Sequence, residues 1–293
     1  MSKQKINGVK HRNELNVVQK IIMWLFLAFV GVIMFLPMWN VLVVSTTTTL
    51  EASRSGVQLW WRKFSIEGFE YVFRVSKLAR PFLNSLFVTT VGTVIQVGLS
   101  SIAGYVLIQQ HLPLRRFITS FVMLTMMIPG DLTMISIYQL NRDLHLLNTY
   151  AGLILNGLIS GFSILLMRNY FESISFTLSE SSRIDGASEL RIFSNIYMPV
   201  SLPGLATVFF MEYVARWNSI TIPAAILTKE SMYTLPLKLK DMILSTDSTS
   251  GTSQIPDNAI MAAIVITAAP LLLIYIFAQR FLLSGLNLGA TKG

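Results

Sequence analysis

Six long apolar runs, separated by polar segments, set the pattern of the chain. The runs cover residues 21–44, 82–108, 117–140, 150–170, 202–227 and 260–283. Each is long enough for a helix to cross a bilayer, which takes about 20 residues. In hydrocarbon a spanning segment has to satisfy its own backbone hydrogen bonds, and the chain lacks the short alternating strands of a barrel. The pattern therefore predicts an all-α integral membrane protein with six transmembrane helices.

The basic character of the first twenty residues predicts the orientation. Lys and Arg are retained preferentially on the cytoplasmic side, so residues 1–20 form a cytoplasmic segment. Residues 21–283 form the transmembrane domain, and six crossings return residues 284–293 to the cytoplasm as a tail. The first apolar run is longer than the core of a cleaved signal peptide and shows no small-residue cleavage site, so we expect it to be retained.

The first outer loop, residues 45–81, mixes aromatic side chains with charges. The aromatic residues are Trp60, Trp61, Phe64, Phe69, Tyr71 and Phe73. Such a composition suits a helix lying on the outer membrane face. It equally suits a small cap that touches a soluble partner, and the sequence leaves both readings open.

Composition agrees with a lipid-facing surface and narrows the chemistry. Apolar residues make up 53% of the 293 positions and charged residues only 13%, too few to solvate a globular surface of this size. The net charge of +8 comes mostly from basic residues at the ends of apolar runs, which favours interface anchoring over nucleic-acid binding. The chain has no cysteine and three scattered histidines, so it offers no disulfide framework and no metal-ligand spacing.

The loop between the fourth and fifth runs, residues 172–201, carries clear signals for where helices begin and end. We call it the coupling loop. Thr177 and Glu180 have the spacing of a capping box, which predicts a short helix from Thr177. Gly186 supplies the left-handed stop that ends this helix. Ser188 can cap a second helix, which Pro199 ends.

The second helix of the coupling loop carries one apolar stripe. Its members, Leu190, Phe193, Ile196 and Tyr197, recur at steps of three and four residues. A cytoplasmic stripe of this kind has to be covered. Either it packs on the protein's own helix ends, or it binds a cytoplasmic partner.

The coupling loop also resembles a known sequence motif. The matching positions are Glu180, the small Ser181 and Ser182, Ile184, Asp185, Gly186, Ala187, Ile196, Pro199 and Pro203. They are similar to the EAA loop of binding-protein-dependent ABC importer permeases, which has two alanines where this chain has Ser181 and Ser182. Further matches in chain order are similar to the MalG-like, LplC-like branch of carbohydrate permeases: residues 84–86, 128–129, 147–150, 217–218 and 289–293.

This resemblance implies a mechanism in which the energy comes from another subunit. The coupling loop would insert as a coupling helix into a cleft of an ATPase, and the carboxyl tail would reach the same interface. Closure of the ATPase subunits would then rotate the membrane helices and expose the pathway alternately to each side. The residues implied to act in coupling are Glu180, Ser181, Ser182, Asp185, Gly186, Ala187, Leu190, Phe193, Ile196 and Pro199.

The resemblance also implies partners and a location. The partners are a second homologous permease subunit, two copies of a cytoplasmic ABC ATPase, an extracytoplasmic solute-binding protein, an oligosaccharide and membrane lipid, but no nucleic acid. No Gly-x-x-x-x-Gly-Lys-Ser/Thr run occurs, so ATP and Mg²⁺ belong to the partner ATPase, and this chain, which binds no cofactor, is not itself an enzyme. The implied location is the bacterial cytoplasmic membrane, with both termini inside.

Polar residues within the apolar runs are candidates for the substrate pathway. Glu212 lies near the bilayer centre and Arg216 follows one turn later, so the two are candidates for the pathway. They can equally pair with each other, and both hold if the pair lines a watery path. Asp131 follows Pro129-Gly130, where a helix break can expose backbone groups to a ligand, although a plain kink explains it equally well. Sugar-binding groups toward the outer half are Tyr138, Tyr213, Trp217 and Asn218.

The balance of charge offers a hypothesis about the substrate. Arg216 and basic residues of the outer loop favour an anionic sugar, such as an alginate-type polyuronate fragment. The alternative is that the outer basic residues meet lipid headgroups. Two other classes remain open: an ion-coupled secondary transporter, which would need a midplane ion site and often an internal repeat, and an ABC permease for amino acids or peptides. A membrane-embedded enzyme is least favoured, because no nucleophile–base pairing appears.

Overall fold

The computed structural model describes residues 16–54, 56–247 and 255–290, with the side chains of Asp131, residues 246–247 and residues 282–290 outside the description. The predictions for residues 1–15 and 291–293 and for the Asp131 side chain therefore fall outside the described residues. Within them the chain is helical. One isolated bridge, between Thr47 and Phe64, is the only β pairing in this part of the chain.

Three of the predicted spans are continuous helices. These are α1 (Val17–Ser45), α4 (Ala79–Ile108) and α15 (Asp257–Ala290), each about as long as predicted or longer. The α1 helix is apolar on all sides and largely exposed, packing within the chain against α15. Such a surface is suited to lipid.

The third, fourth and fifth predicted spans are each interrupted, the third at the break that Pro129-Gly130 indicated. The pieces are α5 (Arg115–Met126) and α6 (Met134–Asp143), α7 (Tyr150–Leu155) and α8 (Gly161–Glu172), and α12 (Leu202–Trp217) and α13 (Thr221–Ile226). Pro129 lacks the N–H that would continue α5, and Gly157 has φ +88°, which no helix allows. Three described helices are long and apolar enough to cross a membrane, or four if one strongly bent pair is counted as a span.

The first outer loop folds into a small cap. It contains α2 (Thr49–Ala52) and α3 (Glu67–Arg74), and α3 packs on α15. The approach is close, because a Cβ added at Gly68 would lie 2.5 Å from the Asn258 carbonyl oxygen. Trp61 Nε1 donates a hydrogen bond of 2.7 Å to Thr46 Oγ1, tying the loop to the end of α1. This arrangement favours the cap over a helix lying free on the membrane.

The segment that follows α13 contains a 3-10 turn (Glu230–Met232) and α14 (Leu235–Asp247). It is tied to the amino-terminal part of α4. Asn84 Nδ2 donates to the carbonyl oxygens of Ser231 (3.0 Å) and Tyr233 (2.9 Å), and the Leu235 amide donates to Ser85 Oγ at 2.7 Å.

The α4 helix forms the centre of the molecule, packing on α8 and α12, while α12 also packs on α15. Its buried side carries small and polar residues: Asn84, Ser85, Thr89, Gly92, Thr93, Gln96, Ser100, Ser101 and Gly104. Small residues let membrane helices approach closely. At Gly104 the approach is close, since an added Cβ would lie 2.8 Å from the Arg168 backbone nitrogen.

Candidate functional site

A cavity of about 310 Å³ lies between α4, α12 and the interruption of the fourth span. Its lining combines apolar side chains with hydroxyl, amide and charged groups. The polar members are Ser85, Thr89, Gln96, Asn156, Ser160, Glu212, Arg216, Ser219 and Thr234. This mixture of apolar surface and a few converging polar groups is typical of small-molecule sites.

Arg216 closes the broken end of α7. Its Nη1 donates to the carbonyl oxygens of Leu153 (3.3 Å), Ile154 (3.4 Å) and Asn156 (3.3 Å), and its Nη2 donates to the Gly157 carbonyl oxygen (2.8 Å) and to Gln96 Oε1 (2.9 Å). The interruption of a helix leaves its last carbonyls without partners, and a cation at this end also suits the helix dipole. Arg216 therefore supplies the hydrogen bonds that the break removed.

Gly92 makes room for the Arg216 guanidinium. A Cβ at Gly92 would lie 2.8 Å from Cζ, Nε and Nη1 of Arg216, closer than side chains approach one another. The guanidinium is therefore pressed against the α4 backbone between Gly92 and the carbonyls of the break. Its Nε is buried without a hydrogen-bond partner, whereas its Nη atoms are engaged within the chain.

Glu212 binds the other half of the broken span. Its Oε1 accepts a short hydrogen bond from Ser163 Oγ of α8. No direct ion pair joins Glu212 to Arg216 among the described side chains, and the two bind different parts of the broken span. The physical reason is that the carbonyls of the break compete for the guanidinium. Glu212 and Arg216 both belong to the lining of the cavity.

The other predicted pathway residues lie away from this cavity. Trp217 is 1% exposed, stacks on Tyr213 and donates from Nε1 to the Thr267 carbonyl oxygen at 3.0 Å, so it belongs to the core between α12 and α15. Asn218 lines a separate cavity of about 370 Å³ beside α14. Tyr138 is exposed on α6, outside the lining.

The coupling loop has the predicted helix–turn–helix form, with shifted boundaries. It contains α9 (Phe176–Ile184), α10 (Glu189–Ile192), a π-helical turn (Phe193–Tyr197) and α11 (Met198–Val200). Gly186 has φ +80°, and Ser188 Oγ accepts from the Arg191 amide at 3.4 Å, as predicted. The capping box of Thr177 and Glu180 is absent because α9 begins one residue earlier, after Ser175. Beyond Pro199 the chain bends by 79° into α12.

The predicted apolar stripe is divided between two environments. Tyr197 is 2% exposed, and with Phe193 and Ile196 it packs on the chain's own helix ends around Phe171. Packing on the protein itself is therefore correct for these three. Leu190, in contrast, is 75% exposed.

Other large apolar side chains of the coupling loop are exposed like Leu190, and the stripe did not predict them. Ile184 is 86% exposed and Leu178 is 50% exposed, both on α9. We call Leu178, Ile184 and Leu190 the apolar docking surface. Helical periodicity relates residues within one helix, and these three residues lie on two helices. In the sequence, only the positions of Ile184 and Leu190 on either side of Gly186 could have indicated this surface.

The remaining coupling residues differ in their exposure. Glu180, Ser181, Asp185, Gly186 and Pro199 are exposed. Ser182 is partly buried, with its Oγ donating to the Leu178 carbonyl oxygen at 2.9 Å. Ala187 is partly buried and packs on the core. In the described part of the chain, no cluster of His, Cys, Asp and Glu could hold a metal ion.

A helical membrane protein with a polar cavity between interrupted helices has the features of a transport permease. The comparison with known families gives the particular family. The chain belongs to the binding-protein-dependent transport system inner membrane components, whose family model matches residues 96–287. It is therefore a multi-pass membrane component of a transporter rather than an enzyme.

Curated relatives match almost the whole chain. It is 31% identical to the polygalacturonan/rhamnogalacturonan transport system permease protein YtcP of Bacillus subtilis, over 92% of this chain and 96% of that protein. It is 29% identical to the arabinooligosaccharides transport system permease protein AraQ of Halalkalibacterium halodurans, over 93% of this chain and 98% of that protein.

A solved structure shares the fold. A chain from a bacterial ABC transporter involved in the import of the acidic polysaccharide alginate superposes with a TM-score of 0.82, covering 94% of this chain and 99% of that one at 24% identity. This likeness concerns the fold.

Proposed function

We propose that the chain is the permease subunit of an ATP-driven, binding-protein-dependent importer of oligosaccharides. The observation that carries this proposal is the apolar docking surface. Its Ile184 is 86% exposed and lies in the coupling loop, on the same helix as Glu180. Exposed apolar patches of this kind mark interaction sites. The relatives that transport polygalacturonan and arabinooligosaccharides support a sugar as the cargo.

The docking surface would meet a separate cytoplasmic ATPase, which binds ATP and Mg²⁺. In this proposal two ATPase copies, a second homologous permease and an extracytoplasmic binding protein complete the transporter. The sequence supports an external motor because it contains no P-loop. A solved alginate transporter in complex with a binding protein that carries an alginate pentasaccharide supports the last partner.

The proposed topology has six crossings, with the coupling loop and both termini in the cytoplasm. Each interrupted span would count as one crossing, its two short helices stacked across the bilayer. Interrupted helices are tolerated at membrane depth where the freed backbone groups are satisfied by protein. The hydrogen bonds of Arg216 to the end of α7 support this for the fourth span.

The proposed pathway passes the cavity beside Glu212, where hydroxyl and amide groups match the hydroxyls of a sugar. Among oligosaccharides, acidic ones such as polyuronate fragments are the finer proposal. The names of the polygalacturonan relative and of the alginate transporter support it. Arg216 does not support an acidic substrate, because its Nη donors are already engaged within the chain.

The ATPase contact can be tested with the assembled transporter. Leu178, Ile184 and Leu190 would be changed together to Ser, and ATPase copurification with the tagged permease measured. We expect it to fall by about tenfold or more, since the change removes the apolar contact. The matched control changes Leu50, Val57 and Phe73, exposed apolar residues of the outer loop, to Ser and should retain the ATPase. Full copurification of the docking variant would overturn the proposal.

A further inference from the structure

Four side chains join the coupling loop to the central helix α4. Arg183 on α9 donates from Nε to Glu189 Oε1 (2.7 Å) and from Nη2 to Gln109 Oε1 (3.0 Å). Tyr105 of α4 donates from its hydroxyl to Glu189 Oε2 (2.6 Å). Glu189, the first residue of α10, is thus held from one side by α9 and from the other by α4.

Aromatic rings fix the position of Tyr105 in this group. Its ring centroid lies 4.9 Å from that of Tyr197 and 5.2 Å from that of Phe193, both in the π-helical turn, and 6.4 Å from that of Phe171 on α8. Such tilted and edge-on contacts favour one geometry over others. These ring contacts therefore hold the Tyr105 side chain in the position from which its hydroxyl bonds to Glu189.

Charge makes these bonds stronger than neutral ones. Hydrogen bonds to an ionised carboxylate from a guanidinium and a phenol are short and about twice as strong as those between neutral groups. The hydrogen bonds from Arg183 and then from Tyr105 hold the pKa of the Glu189 carboxyl below its usual value, so the group is ionised at neutral pH. An exposed Arg–Glu pair alone would contribute little, but Tyr105 and Gln109 anchor this one to α4.

The α4 helix continues from this group to the other end of the molecule. Its 30 residues extend about 45 Å as an unbroken helix. On the way, Gln96 lines the cavity and accepts from Arg216. At the outer end Asn84 and Ser85 bind the segment before α14. A displacement of α9 and α10 that keeps these bonds must therefore move α4, and with it one wall of the cavity.

We propose that Arg183, Glu189, Tyr105 and Gln109 form the linkage that transmits movement of the coupling loop to α4. They act as positioning residues and touch neither ATP nor the sugar. This inference rests on the proposed function, because the ATPase supplies the movement. It adds the route by which that movement reaches the cavity.

The test uses the assembled transporter in proteoliposomes, measuring sugar import and ATP hydrolysis together. In Tyr105→Phe and Arg183→Gln we expect copurification of the ATPase and basal ATP hydrolysis to persist, while sugar imported per ATP falls by about tenfold. The double variant Arg183→Glu with Glu189→Arg restores opposite charges and should recover much of that ratio. Arg142→Gln, which breaks an exposed ion pair with Asp143, should leave it unchanged.

Two results would overturn the linkage: an unchanged import ratio in both single variants, or a charge-swapped variant no better than Arg183→Gln. Absence of ATP-driven import by the wild-type transporter would instead refute the proposed function.

A second measurement needs no linkage variant. Because the chain has no cysteine, His111→Cys and Asn195→Cys can carry a spin-label pair between the end of α4 and the coupling loop. Their distance should stay constant when ATP is added, and a large change would contradict the linkage.

Discussion

Glu212 and Arg216 lie one turn apart on α12 but bind opposite halves of the same interrupted span. Glu212 accepts from Ser163 of α8, and Arg216 donates to carbonyls at the end of α7, among them that of Leu153. On an ordinary helix surface an acid and a base at this spacing pair with each other. Here the carbonyls left by the break take the guanidinium instead. One turn of α12 thus fixes the relative positions of α7 and α8.

Removing the Arg216 guanidinium should destabilise the protein as well as lower transport. In Arg216→Ala the carbonyls at the break lose their donors in a buried place, at a cost of about 1–3 kcal/mol. Thermal unfolding of the purified transporter would show a lower midpoint. Arg142→Ala, at an exposed pair, serves as the control and should leave the midpoint unchanged. Equal midpoints for the two variants would show that the break does not depend on Arg216.

Gly92→Ala should reproduce the defect of Arg216→Ala although it removes no polar group. The new Cβ would lie 2.8 Å from the guanidinium and displace it from the carbonyls of the break. Gly98→Ala is a matched control on the same helix, because nothing lies within 4 Å of an added Cβ there. We expect the unfolding midpoint to fall in the first variant only. A similar effect of both would indicate a general response of α4 to alanine.

Filling the cavity should block import without releasing the ATPase. Ala215 lines the cavity on α12, so Ala215→Trp would occupy space that a passing sugar needs. We expect sugar uptake to fall by about tenfold or more, with ATPase copurification retained. Met211→Trp, on the same helix but outside the lining, is the control. Normal uptake by the Ala215 variant would remove this cavity from the pathway.

The lowered pKa of Glu189 predicts how stability depends on pH. Its ordinary value is 4.5, and the bonds from Arg183 and Tyr105 keep the folded value lower. A carboxyl of this kind stabilises the folded state above its unfolded pKa, and this contribution is lost as pH falls through the folded pKa. Wild type should therefore be more stable than Glu189→Gln at pH 6–7, and the difference should shrink below about pH 4.5. Unfolding midpoints across this range would test it, and a gap that does not depend on pH would contradict it.

The sequence predicted the local features of the fold better than the long-range ones. Gly186 and Ser188 act as predicted because a turn or a cap involves only a few neighbouring residues. Hydropathy located the membrane segments but not the interruptions near Gly157, because an apolar count does not register backbone geometry. The partner of Arg216 could not be predicted, since Leu153 lies 63 positions earlier and contributes only its carbonyl.

In the candidate site, too, local features could be predicted from the sequence and long-range ones could not. Periodicity identified an apolar face in the coupling loop, but it could not say that Tyr197 is buried and Leu190 exposed, because that depends on where Phe171 and Tyr105 lie. Polar residues inside apolar runs were a usable signal. Gln96 is one, and its position in the second run could have indicated a role beside Arg216.

The interruption closed by Arg216 also has a consequence for biosynthesis. When the fourth span leaves the ribosome, the donor for the Leu153 carbonyl is still 63 residues away in the unfinished chain. The two short helices of that span cannot reach their final hydrogen bonding in lipid until α12 has been made and inserted. A chain truncated before Arg216 should therefore lack the donors for these carbonyls and be degraded faster than the full-length protein.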